Sequence, residues 1–238
     1  NMSFGSLDLR LFEMRRVYQA VAGQDMPHEP IYCAGLVTGE REQQSWCYDK
    51  SAVDFYDAKG IVEDLLRLLA INTPDWLSEE PEPFYHPGKC CRIKVGQTLV
   101  GTVGELHPQV LVNFGIERPV YYFELNFEAL VQLANNARKT IVPPSRFPDS
   151  ARDVALLAPL ELASSHLIDC IKKLKLRELE DVSIFDLYQG DRLPEGHKSI
   201  ALRLRYRAAD RTLTDDEVQL IHQKVVLSLT EKLGVTIR

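Results

Sequence analysis

The sequence predicts an α+β protein made of two antiparallel sheets with helical cover. Three observations carry this reading. Side chains alternate strictly from His197 to Arg207, a capping box at Thr214-Asp215-Asp216-Glu217 opens an apolar-striped helix, and two alternating runs at 90–95 and 98–104 are joined by only two residues. Between the two halves, Val142-Pro143-Pro144 breaks both periodicities, so the expected domains are 1–140 and 145–238, with a linker from Thr140 to Ser145.

In the first domain, alternation or short apolar runs predict strands at 9–18, 31–37, 90–95, 98–104 and 120–125, and helical spacing predicts helices at 52–71, 108–114 and 127–134. Gly96-Gln97 places glycine first in a two-residue connection, the preference of a type II′ hairpin turn.

The second domain opens with a strand at 151–157. A helix follows at 161–173, with Leu162, Leu167, Ile168 and Ile171 at helical spacing, and a strand at 182–188 returns to alternation, with Phe185 and Leu187 on one side and Ile184, Asp186 and Tyr188 on the other. In the next strand, Ile200, Leu202, Leu204 and Tyr206 face inward, opposite Ser199, Ala201, Arg203, Arg205 and Arg207. The helix from Thr214 buries Val218, Ile221, Val225 and Leu229, ends at Gly234, and leads to a short strand at 235–238. The order β-α-β-β-α-β is the split βαβ, or ferredoxin-like, arrangement, which places both helices on one sheet face and leaves the other open. An open face that is small at one end and cationic at the other suits single-stranded RNA, although the same alternation also describes an ordinary solvated strand.

The 238 residues carry a net charge of -6. Thirteen basic and nineteen acidic residues precede Ser145, and fifteen of each follow from it, so the excess acid lies in the first domain and the second is neutral. Neither is a basic nucleic-acid domain, so RNA recognition would rest on local placement of arginines and on base contacts. The apolar runs, such as 61–71, are short and interrupted, here by Glu63, Asp64 and Arg67, and the N-terminus lacks the pattern of a signal peptide, so no membrane association and a cytoplasmic location are expected. The five cysteines, Cys33, Cys47, Cys90, Cys91 and Cys170, have no C-x-x-C spacing and read as reduced thiols, with Cys90 and Cys91 on opposite strand faces.

Candidates for independent catalysis are few. His86 and His107 each precede proline in turn-like stretches without a nucleophile motif. Glu105 and Glu124 fall near strand ends and would form an acid–base pair only if they converge. Gly101-Thr102-Val103-Gly104 lacks the lysine and helix of a phosphate-binding loop.

Several motifs of the second domain together resemble the ferredoxin-fold anticodon-binding domain of bacterial phenylalanyl-tRNA synthetase β subunits: Ser145-Arg146-Phe147-Pro148, Arg152-Asp153-Val154-Ala155, Phe185-Asp186-Leu187-Tyr188-Gln189-Gly190, Glu195-Gly196-His197-Lys198-Ser199 and Arg211-Thr212-Leu213-Thr214-Asp215-Asp216-Glu217. Upstream, Leu11-Phe12-Glu13-Met14, Asp54-Phe55-Tyr56-Asp57-Ala58-Lys59-Gly60, His86-Pro87-Gly88-Lys89, Val103-Gly104-Glu105-Leu106-His107-Pro108 and Val120-Tyr121-Tyr122-Phe123-Glu124-Leu125 are similar to the later half of the catalytic-like domain of that subunit. The resemblance implies a partial class II synthetase-like domain without its chemistry at 1–140 and an anticodon-binding domain at 145–238. It also implies an α2β2 assembly with an α subunit that carries phenylalanine activation with ATP and magnesium, no cofactor or metal held by this chain, and tRNA(Phe) as the RNA partner. On the matching positions, it implies anticodon contacts at Ala155, Asp186, Tyr188, Ser199 and Arg238, while Arg203 and Arg205 join them as cationic residues of the same predicted face. Two other readings remain open at this stage: a protein-interaction module docking a partner on the open sheet face, and an independent small-molecule enzyme using Glu105 or His107.

Overall fold

The computed structural model describes residues 7–42, 45–78, 82–136 and 143–238. The chain divides into two compact units, Asn1–Ile141 and Val142–Arg238. Of the expected linker, residues 140–142 lie outside the described residues, and 143–145 have no regular structure.

The first unit contains β1 (Leu9–Arg16), β2 (Ile31–Thr38), α1 (Phe55–Leu68), β3 (Asp75–Leu77), β4 (Tyr85–Val95), β5 (Thr98–Leu106), α2 (Pro108–Asn113), β6 (Val120–Asn126) and α3 (Phe127–Asn136). Its strands form one antiparallel sheet in the order β1-β2-β6-β5-β4-β3. The α1 helix starts later than its apolar spacing suggests because Ala52 is engaged in a bridge to Glu40, and Asp54 then caps the helix reciprocally with Asp57. Arg41 binds both carboxylates, and its bond to Asp57 holds that carboxyl below the usual range. Ala58, Val62 and Leu66, four residues apart, pack onto Val103, Phe123 and Leu125 of the sheet. Gly96 has φ +60° while Gln97 stays out of the positive-φ region, as a type II′ turn requires. The β3 strand is absent from the sequence expectation because three residues are too few to show a period, and β4 begins five residues early, at Tyr85, through a register shift between Tyr85 and Cys90. Cys91 is buried, and burial pushes its thiol up to about 12, whereas the adjacent Cys90 is only partly covered.

The second unit contains β7 (Ser150–Pro159), α4 (Ser164–Lys172), β8 (Leu179–Tyr188), β9 (His197–Tyr206), α5 (Asp215–Leu233) and β10 (Thr236–Ile237). The antiparallel order is β10-β7-β9-β8, with the first and third strands of the unit in the centre. Thr214 and Glu217 form the expected capping box, and Gly234 ends α5 in the left-handed region at φ +64°. Leu167 and Ile171 of α4 and Val218, Val225 and Leu229 of α5 pack on Leu156, Ile200, Leu202 and Leu204, all within 1% of complete burial.

Candidate nucleic-acid interface

Burial of Ile200, Leu202 and Leu204 against the helices fixes the phase of β9, so Ser199, Ala201, Arg203 and Arg205 belong to the helix-free face. Antiparallel register extends this phase across the sheet. Leu157, Ser199 and Tyr188 form one cross-strand row, Ala155, Ala201 and Asp186 the next, and Asp153, Arg203 and Ser183 a third. Arg238 enters at the end of the second row, its backbone N–H donating to the Ala155 carbonyl at 2.9 Å. The register therefore brings Ala155, Asp186, Tyr188, Ser199, Arg203, Arg205 and Arg238 onto one face. Its middle row has a floor of two alanines, flat enough for a planar ring to lie close to the backbone.

The structure corrects the expected phase of β8. A register shift between Ile184 and Asp186 inserts one extra residue opposite β9, so alternation counted through Phe185 slips there. Ile184 consequently pairs with Leu202 on the helix side, and Phe185 turns to the open face, half exposed, with the Arg203 guanidinium carbon 4.7 Å from its ring centroid. Leu187 keeps the expected side but is 53% exposed because the helices do not reach the outer edge of β8, and Ile237 is similarly exposed on the two-residue edge strand β10.

Ser199 also departs from expectation. It lies on the open face but is only 6% exposed, since its cross-strand neighbours Leu157 and Tyr188 are larger and flank it on that face. Tyr188 is half-buried, with the Arg238 guanidinium carbon 5.8 Å from its ring centroid. Gly190 makes room for the phenol: a Cβ there would stand 2.7 Å from the Tyr188 hydroxyl.

The cationic end of the face is neutralised by its own neighbours. Arg203 donates from Nε and Nη2 to the two carboxylate oxygens of Asp153 at 2.8 and 2.7 Å, a bidentate pair that holds the Asp153 carboxyl below its ordinary range and raises the guanidinium pKa. Arg205 lies 3.6 Å from Asp181 and 3.9 Å from Asp149, and Arg207 lies 3.2 Å from Glu180 and 3.7 Å from Asp149. Arg203 and Arg205 are accessible, as expected, but are not free cations. Alternation alone misses Phe185, which the bulge moves, and the pairing of Asp153 with Arg203, which only cross-strand register reveals.

The candidates in the first unit do not converge. Glu105 pairs with Tyr121 on the helix-covered side and forms an ion pair with Lys89 at 2.8 Å, whereas Glu124 pairs with Thr102 on the opposite side and accepts from the Tyr122 hydroxyl at 2.8 Å. The two carboxylates therefore cannot act as an acid–base pair across one substrate. His107 caps α2, its Nδ1 accepting from the Gln109 N–H, and the His86 ring is bonded to the Pro87 carbonyl. These engaged carboxylates do not fit a magnesium–nucleotide site, and among the described residues no three His, Cys, Asp or Glu side chains are grouped to hold a metal ion. No helix among the described residues is long and apolar enough to cross a membrane.

Two family models match this chain. Residues 1–127 match the family described as the phenylalanyl tRNA synthetase beta chain CLM domain, and residues 145–238 match the ferredoxin-fold anticodon binding domain. The whole chain is 51% identical to the phenylalanine–tRNA ligase beta subunit of Geobacter sulfurreducens, 47% to that of Geobacter metallireducens and 40% to that of Syntrophotalea carbinolica. It spans 30% of the length of each of these relatives. With a family match over more than half of its length and a second over the remaining domain, the chain belongs to the phenylalanyl-tRNA synthetase β chain family.

Proposed function

We propose that this chain is the part of a phenylalanine–tRNA ligase β subunit that binds the anticodon region of tRNA(Phe) and supports a catalytic α subunit within an α2β2 enzyme. In this reading, residues 1–140 are a partial class II synthetase-like domain without its own chemistry, and residues 145–238 bind the anticodon. Phenylalanine activation with ATP and magnesium belongs to the α subunit, in the cytoplasm. The observation that carries the RNA reading is the helix-free row in which Ala155 and Ala201 form a low floor between Arg238 and Asp186, bordered by Tyr188.

Each group has a role suited to an unpaired base. Ala155 admits the ring, Tyr188 offers a surface for stacking and Asp186 presents polar atoms to a base edge, while Ser199, covered by Leu157 and Tyr188, packs against the ring that a base would meet. Arg238, whose guanidinium carbon lies 5.8 Å from the Tyr188 ring centroid, contributes a guanidinium to phosphate or base. Arg203 and Arg205 act from within ion pairs, which sets them apart from unpaired phosphate anchors.

The test is titration of the chain with the anticodon stem-loop of tRNA(Phe) beside non-cognate stem-loops. Saturable binding that prefers the cognate loop is expected. Equal affinity for all loops, or none for any, together with capture of a protein on this face, would overturn the reading in favour of a protein-docking module.

A further inference from the structure

We propose that Phe185 and Arg203 form a second base-stacking platform on the open face, one that takes a different unpaired nucleotide of the RNA from the one held at Tyr188. The inference rests on the RNA-binding reading above and extends it to a residue pair that strand alternation would have placed on opposite faces.

The bulge between Ile184 and Asp186 is what creates the platform. In an unbroken strand the Phe185 ring would face the helices, but here it is 50% exposed on the open side, beneath the Arg203 guanidinium. Bulges commonly re-aim a side chain next to a functional site, and this one turns an aromatic ring from the helix side to the open face.

Asp153 supplies the second half of the argument. Its two bonds to Nε and Nη2 lie along the edge of the planar guanidinium, so they fix the orientation of the plane without occupying its faces. The guanidinium carbon sits over the Phe185 ring, 4.7 Å from its centroid. The Arg203 side chain nevertheless remains 48% exposed. A planar guanidinium held in place by a carboxylate over an aromatic ring, and still half exposed, offers a surface for stacking a base, and because Asp153 already balances its charge, the attraction is to the π-face rather than to phosphate.

Position separates this platform from Tyr188. Tyr188 stands opposite Ser199, four residues along β9 from Arg203, or about 13–14 Å at the strand rise. Stacked bases repeat every ~3.4 Å. One base cannot reach both platforms, and the alanine row lies between them.

The experiment uses the 238-residue chain and anticodon stem-loops carrying 2-aminopurine at one loop position at a time. Three variants are compared, Arg203→Lys, which keeps charge but removes the plane, Phe185→Leu, which keeps apolar bulk but removes the ring, and Tyr188→Ala, with folding checked by thermal denaturation. Arg203→Lys and Phe185→Leu should each weaken binding by about tenfold, within the range of a lost base stack. Both should also alter the fluorescence change at the same loop position, one that Tyr188→Ala does not affect. If Tyr188→Ala weakens binding while the other two leave it unchanged, or if all three act at one position, the second platform is wrong and the RNA reading stands. If the wild-type chain binds no stem-loop, both fail together.

Discussion

Removing the Asp153 carboxylate should make RNA binding more sensitive to salt, an effect opposite to that expected if Arg203 were already a free phosphate anchor. Arg203, Arg205 and Arg207 place three guanidinium groups at this end of the sheet against the four carboxylates of Asp149, Asp153, Glu180 and Asp181. The cluster therefore has one more negative than positive charge and releases few counterions when RNA arrives. Each phosphate neutralised on a single strand contributes roughly 0.7 to the slope of log K against log salt. Among the described residues, Arg238 is the proposed arginine contact without a carboxylate partner, so a slope near -1 is expected for the wild type, against about -2 for three free arginines. Asp153→Ala releases Arg203 and should steepen the slope by roughly 0.7, equivalent to about fivefold in affinity across a tenfold change in salt. Fold stability should change little, because the pair is solvent-exposed and screened. Fluorescence anisotropy of a labelled anticodon stem-loop over a tenfold range of KCl measures both slopes. A steep wild-type slope that Asp153→Ala leaves unchanged would refute the self-neutralised face.

Three further outcomes follow from other parts of the structure. Tyr188→Ala should weaken stem-loop binding by about 1–3 kcal/mol while Tyr188→Phe preserves it, because the ring rather than the hydroxyl supplies stacking; equal losses in isothermal titration would contradict this. Thr214→Ala removes the cap that accepts the Glu217 N–H at the start of α5 and should lower the unfolding free energy by about 1 kcal/mol in urea melts. His222 is held below the ordinary imidazole range by burial and then by the charge of Arg152, with Nδ1 3.1 Å from the Tyr206 hydroxyl. The unfolded chain then binds the proton more readily, so its stabilising contribution is present above about pH 6.5 and declines as pH falls toward the lower folded value. His222→Gln should flatten this part of a stability–pH curve, and an unaltered slope would remove His222 as its cause.

How much of this was legible in the sequence depended on whether a feature is local. The Thr214–Glu217 capping box and the left-handed Gly234 are set within a few residues, and both form where the sequence indicated. The phase of β9 was equally readable because Ile200, Leu202 and Leu204 alternate without interruption. In β8, the side-chain period persists on each side of Phe185, but the bulge depends on how two strands meet and left no clear local signal. The burial of Ser199 and the pairing of Arg203 with Asp153 arise from neighbours 11 and 50 positions away, Tyr188 and Asp153, brought together by the sheet. Glu105 and Glu124 illustrate the same limit: both occur near strand ends in the sequence, yet register assigns them to opposite sides of the first sheet.

That dependence on register shapes the proposed recognition. Non-specific affinity for nucleic acid comes mainly from unpaired cations meeting phosphates, a contribution that every RNA duplex and loop can supply. On this face Asp153, Asp181, Asp149 and Glu180 occupy the arginines, while the groups left to meet a ligand are rings, a guanidinium plane, an alanine floor and a few polar edges. A duplex hides the faces of its bases, whereas a loop can splay them outward. In the proposed reading, a surface whose clustered arginines are held by carboxylates but whose flat groups remain available disfavours indiscriminate phosphate binding and favours the unpaired bases of an anticodon loop.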